Sequence, residues 1–293
     1  MIKLRRIGHA TFETTALDRQ IEYYCDVFGL SLYAHERGRA LLTTRVGQLA
    51  IDLIEGERES CSMLSFEVSP DANFGEMQRA LAEQGIESWT RTDAVPGIPR
   101  ALLFKDPNGL VIELFAEWKF LQSSRPPSGI APLKLGHVAF AMQDPAAMAN
   151  FYENILGFRT SDWIGDYFVF LRCNPDHHTV NFIRGDSFHL RHFAFELRDM
   201  AHVQTACDIL GERRIPVMAG PLRHGPGHNV AVYHRNPADQ VVEVYIEMDQ
   251  MKDEELGYFE PRPWHHDRPQ RPKVWDPNDG STVIWGLRVP PYR

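Results

Sequence analysis

The 293-residue sequence predicts an α+β protein built from paired βαβββ modules, two modules per domain and two domains. Three observations carry this reading: the chain is an internal duplication, each half uses a smaller unit twice, and that unit joins one amphipathic helix to short strands. The duplication begins with Ile7-Gly8-His9-Ala10-Thr11-Phe12 and Leu135-Gly136-His137-Val138-Ala139-Phe140, a shift of 128 residues from His9 to His137. It continues, in the same order, with 23–30 against 151–158 and 64–68 against 193–197. A last match sets Lys105-Asp106-Pro107-Asn108-Gly109 ahead of Glu113 against Arg235-Asn236-Pro237-Ala238-Asp239 ahead of Glu243. Chance does not give four ordered matches at nearly constant spacing.

In the second half, alternation over Lys134–Met142 predicts a strand leading to a helix at Pro145–Leu156, with Asp144 as N-cap and Gly157 as C-cap. Short β-rich runs follow at 167–172 and 179–183. The unit then restarts: a strand at 191–197, a helix at 200–210 ended by Gly211, and strands at 215–218, 229–234 and 241–247. Asp106-Pro107-Asn108-Gly109 and Asn236-Pro237-Ala238-Asp239 supply the turn before the last strand of each half. The Pro/Ser/Gly stretch 123–129 is a connector, which sets an N-terminal domain at 1–126 and a C-terminal domain at 127–250. The tail 251–293 has no periodicity, but Tyr258, Phe259, Trp264, Trp275 and Trp285 predict that it packs on the body.

A hydrophobic fraction of 43% with 24% charged residues describes a soluble globular chain, and a formal charge of −8 excludes a nucleic-acid partner. No apolar run is long enough to span a bilayer, and the N-terminus lacks a signal-peptide core, so a cytoplasmic protein is expected. Cys25, Cys61, Cys173 and Cys207 show no metal-ribbon spacing and are expected as free thiols. The 13 histidines gather in the second half, where chemistry is therefore expected.

His137, His192 and Glu243 fall on the first, fifth and last strand positions of the second half. Two neutral imidazoles and a carboxylate on one face of a metal leave positions open for substrate and O₂, the arrangement of non-haem Fe(II) oxygenases. Mn(II) is a feasible substitute. The first half acts as an internal control: its equivalents are His9, Met63 and Glu113, and a thioether is a poor ligand for Fe(II). Nearby in sequence lie Asp176-His177-His178-Thr179, His224-Gly225-Pro226-Gly227-His228 and Tyr233. A His in an apolar pocket can act as acid and base, and a Tyr hydroxyl can hold developing charge. His177, His189 and His228 read as surface groups or as groups behind the ligands.

These residues resemble the type I extradiol dioxygenases of the vicinal oxygen chelate superfamily, over the chain to about Asp249. The resemblance implies that the C-terminal half carries the metal, and that His178, fourteen residues before His192, is the acid/base group. It further implies substrate contacts from His224 and Tyr233, and a pocket lined by Ala139, Phe170 and Ile183. The implied reaction is opening of a catecholic ring with Fe(II) and O₂, by a homo-oligomeric enzyme. Leu49, Ala94 and Leu103 stand at the first-half positions equivalent to His178, His224 and Tyr233, and none can do that chemistry. One departure concerns the substrate. Members that cleave homoprotocatechuate carry an Arg five residues before the equivalent of His224, and here Ala219 stands there. Arg288 or Arg293 of the tail would be the further cations available. The rivals are an isomerase or thiol transferase of the same superfamily and a non-catalytic small-molecule binding protein; the latter has no use for His178, His224 and Tyr233 beside an intact triad.

Overall fold

The structure, a computed structural model, describes residues 2–121, 128–260 and 270–287. Residues 123–127 of the connector, Trp264, Arg288 and Arg293 lie outside the described residues, as does the expected domain boundary. The chain forms two compact units: Met1–Leu135 with Asn154–Gly157 and Asn236–Asp239, and Gly136–Glu153 with Phe158–Arg235 and Gln240–Arg293.

In the first half, β1 (Leu4–Thr14), α1 (Leu17–Glu22), β2 (Ser31–Glu36), β3 (Arg39–Thr43) and β4 (Leu49–Glu55) make one βαβββ module. The second comprises β5 (Ser60–Val68), α2 (Phe74–Glu83), β6 (Ser88–Val95), β7 (Ile98–Lys105) and β8 (Val111–Phe115). They share one sheet, ordered β2-β3-β4-β1-β5-β8-β7-β6, in which the first strand of each module is central and runs parallel to the last strand of its own module.

The second half repeats this. Its modules are β9 (Lys134–Met142), α3 (Pro145–Leu156), β10 (Arg159–Ile164), β11 (Phe168–Arg172) and β12 (Val180–Arg184), then β13 (His189–Glu196), α4 (Met200–Glu212), β14 (Val217–His224), β15 (Val230–Arg235) and β16 (Val241–Ile246). The predicted fold class is therefore the observed one. The tail adds β17 (Met251–Asp253), β18 (Tyr258–Phe259), β19 (Lys273–Trp275) and β20 (Val283–Gly286). Of these, β19 and β20 become the two edges of a ten-stranded sheet, β19-β10-β11-β12-β9-β13-β16-β15-β14-β20. Phe259 and Trp275 are buried, whereas Trp285 is exposed.

Local chemistry explains the boundaries. The Asp144 carboxylate accepts from the Ala147 N–H at 2.9 Å to start α3, and Gly157, at φ 72, ends it. Helix α4 runs past Gly211, where it was expected to stop. Pro216 disfavours helix at Ile215, so the left-handed residue is Arg214 (φ 57), and the Ile215 N–H closes on Leu210 O at 2.8 Å. Strand β10 was not anticipated, because Arg159-Thr160-Ser161-Asp162 is polar and hides the alternation. The tail strands, two to four residues long, are likewise too short to show a period. In the Gly-His pair that opens each half, the glycine is required by an aromatic ring: a Cβ on Gly136 would lie 1.9 Å from Tyr245 Oη, and one on Gly8 would lie 2.5 Å from Phe115 Cε1.

Candidate metal centre

Strands β9 and β13 are neighbours at the middle of the ten-stranded sheet, with β16 beside β13. They bring together His137 (β9), His192 (β13) and Glu243 (β16), all buried. His137 Nε2, His192 Nε2 and Glu243 Oε2 form a triangle with every side 3.3 Å. That span suits donors held about 2.0–2.2 Å from a shared ion, and is long for a direct N–H···O bond. The other carboxylate oxygen, Oε1, accepts from Asn229 Nδ2 at 3.0 Å, which orients the group.

The electrostatics fit a cation. Burial, assisted by His137 and opposed by Glu243, lowers His192 to about 3, so it is a neutral imidazole with a lone pair. Burial alone would raise Glu243, but His137, His192 and His224 outweigh it and bring the group to about 2. Neutral imidazole and ionised carboxylate are the forms that bind metal. Among the described residues, this is the one group of three His, Cys, Asp or Glu side chains with the required spacing.

The triad opens onto a cavity of about 290 Å³. His178, Phe170 and Ile183 line it, as do His224 and Tyr233. In the β15–β16 register Tyr233 pairs with Glu243, which puts both on one face. His224 Nε2 and Tyr233 Oη are 2.7 Å apart, and the His178 ring lies 4.4 Å from that of His137. Burial, and then the neighbouring histidines, hold His178 well below the ordinary histidine range; burial also lowers His224, against Glu243. Ala139 is not on the wall: it pairs with Asn181 across β9–β12 and is fully buried, and the longer Asn181 faces the cavity.

Sequence reasoning missed Asn181, Asn229 and Arg191, together with Thr282 and Val283 of the tail, all of which line the cavity. Asn229 was findable, since it sits between His228 and a strand in the segment already singled out. The tail contacts carried no local signal. His177 and His228 are fully buried rather than superficial, and His228 Nδ1 pairs with Asp249; only His189 is exposed.

The first half shows the same sheet positions filled differently. Leu103 pairs with Glu113 as Tyr233 does with Glu243, and Ser65 with Glu113 as Ala194 does with Glu243. Met63 therefore takes the place of His192. It packs with Leu41, Leu49 and Leu103 in an apolar cluster, and the cavity beside His9 measures about 20 Å³. Glu113 receives a hydrogen bond from Ser65 at 2.7 Å and an ion pair from Arg91. A guanidinium thus neutralises the carboxylate in this half. Burial, with Asp52 opposing, lowers His9 to about 4, leaving it neutral beside Glu113.

The model of the Glyoxalase/Bleomycin resistance protein/Dioxygenase superfamily matches residues 6–114 and 134–244, and the chain belongs to that superfamily. The chain is 23% identical over 260 residues to the manganese-dependent 2,3-dihydroxybiphenyl 1,2-dioxygenase of Geobacillus genomosp. 3, covering 80% of this chain and 82% of that protein. It is 23% identical over 279 residues to an iron-dependent extradiol dioxygenase of Rhodococcus jostii (strain RHA1), covering 86% and 92%. Among solved structures, the Mn(II)-bound glyoxalase from Novosphingobium aromaticivorans superposes with a TM-score of 0.84 at 22% identity, covering 100% of this chain and 96% of that one.

Proposed function

We propose that the chain is an extradiol ring-cleaving dioxygenase that opens a catecholic ring with O₂. The observation that carries this reading is the meeting, on one cavity, of a two-His, one-carboxylate face with a buried neutral His178 and the hydrogen-bonded His224–Tyr233 pair. His137, His192 and Glu243 would hold Fe(II), with Mn(II) as the alternative; one relative is named for each metal. Such an ion supplies a redox-active Lewis acid at which a chelated catechol and O₂ meet.

The protein's own groups do the rest. Phe168 and Phe170, stacked with centroids 4.4 Å apart, present an aromatic wall to a planar ring. Ile164, Ile183, Leu222 and Val283 exclude water from the reacting end. His178, neutral because it is buried, takes the proton of a substrate hydroxyl and later returns it. Tyr233, hydrogen-bonded to His224, donates to the oxygen on which charge develops, and His224 orients it. The proposal extends to a cytoplasmic homo-oligomer: four cysteines outside any disulfide suit a reducing compartment, and light scattering of the purified chain tests the assembly.

The test is O₂ uptake by the Fe(II)-loaded protein across alkyl, aryl, carboxylated and hydroxylated catechols. Uptake with a new yellow product from at least one is the expected result. In His178→Gln the rate falls by about 10²–10⁴ while iron is retained; an unchanged rate would remove His178 from the mechanism.

A further inference from the structure

We infer that Asp162 and His177 are positioning residues that fix the proton of His178 on Nδ1, and that the C-terminal strand β19 sets the direction of this relay. The inference rests on the reading of His178 as the acid/base group.

Two of the groups around Asp162 can only donate. The Trp275 indole N–H donates to Asp162 Oδ2 at 2.6 Å, and the Lys273 backbone N–H donates to Oδ1 at 2.9 Å. Asp162 is fully buried, and each of its oxygens accepts one of these N–H groups. Its Oδ2 also meets His177 Nε2 at 3.1 Å, so that nitrogen must carry a proton. A neutral imidazole protonated at Nε2 has a bare Nδ1. His177 Nδ1 lies 3.0 Å from His178 Nδ1, so a His177 with a bare Nδ1 receives the His178 proton there. With its proton on Nδ1, His178 keeps a lone pair on Nε2, the form a base needs beside the cavity it lines.

The surroundings hold this order in place. His177 is fully buried, its backbone N–H donates to Asp249 O at 2.9 Å, and its ring packs on Phe259 at 4.8 Å. A Cβ on Gly227 would lie 3.0 Å from His177 Nδ1 and 3.4 Å from His178 Cε1, so the backbone of the Gly225-Pro226-Gly227 turn backs directly onto the pair. A reversed relay would need a proton on Asp162 Oδ2, the oxygen that already receives the Trp275 N–H. The tail therefore contributes to chemistry without touching the substrate through β19.

The test is nuclear magnetic resonance of the full chain with isotope-labelled histidine, loaded with diamagnetic Zn(II), paired with kinetics of the Fe(II) form. In the unaltered protein His178 is expected to report a proton on Nδ1 and a bare Nε2. Asp162→Asn and His177→Phe are expected to populate the Nε2-protonated form. They lower kcat by about 10–100-fold while KM for the catechol and iron content stay within about twofold. Trp275→Phe keeps the carboxylate and gives the same change in smaller degree, which covers the case in which a buried Asp162 variant does not fold. An Nε2 proton in the unaltered protein, or variants that leave the tautomer unchanged, would overturn the inference; so would loss of iron in step with kcat. The resonance readout needs no turnover, so an inactive parent protein would contradict the ring-cleavage reading alone.

Discussion

Glu113 and Glu243 occupy matching sheet positions and are both buried, yet their counter-charges differ in kind. Arg91 and Ser65 satisfy the first, while imidazoles and Asn229 surround the second. Removing Arg91 leaves a buried carboxylate without its cation. Arg91→Met should therefore cost about 3 kcal/mol of unfolding free energy in urea titrations, and a further Glu113→Gln should restore most of it. A loss below about 0.5 kcal/mol would mean that the pair is merely superficial. The contrast also predicts how metal follows residue identity. His192→Ala should abolish iron retention, whereas Met63→Ala should keep it and lose about 2–5 kcal/mol of stability through the cavity it leaves. Iron lost with Met63→Ala would place the metal in the other half.

At the scale of the element, β9 places His137 only because Gly136 lets Tyr245 of β16 close against the backbone. The added Cβ of Gly136→Ala would sit 1.9 Å from Tyr245 Oη, and the Tyr245 ring packs 5.2 Å from that of His137. That variant should lose about 1–3 kcal/mol and bind iron more weakly, as calorimetry would show; unchanged affinity would free His137 from this constraint. Elements of this kind were legible in the sequence because the duplication states them twice. The triad strands, the helix α3 with its Asp144 cap and the two turns before β8 and β16 all carry local signals. Strand β10 did not, since Asp162 faces inward on a polar run and takes two of its partners, Lys273 and Trp275, from more than a hundred positions away. Thr282 and Val283 reach the cavity for the same reason, through strand pairing that no local pattern encodes. Ala139 was expected on the wall by resemblance, but a methyl group is shorter than the Asn181 side chain paired with it.

Over the whole molecule, buried histidines tie stability to pH. Burial lowers His9 to about 4 and His234 to about 3, whereas in an unfolded chain both would titrate near about 6.5. Below that value the unfolded state binds more protons than the folded one, so these groups stabilise the fold above it and the contribution is lost as pH falls towards the folded values. The metal-free chain should lose stability from about pH 6.5 downwards, at up to about 1.4 kcal/mol per pH unit for each group. His234→Gln should flatten that slope; an equal slope would assign the effect elsewhere. The molecule as described is thus a duplicated fold in which one half packs Leu41, Leu49, Met63 and Leu103 together, and the other keeps a cavity open around His137, His192 and Glu243. The most direct test of that account is anaerobic Fe(II) titration of the full chain, followed by a catechol and then air. One iron per chain, lost in His192→Ala and kept in Met63→Ala, with O₂ consumed only once catechol is present, is the predicted result. Iron bound with no O₂ uptake for any catechol would contradict it.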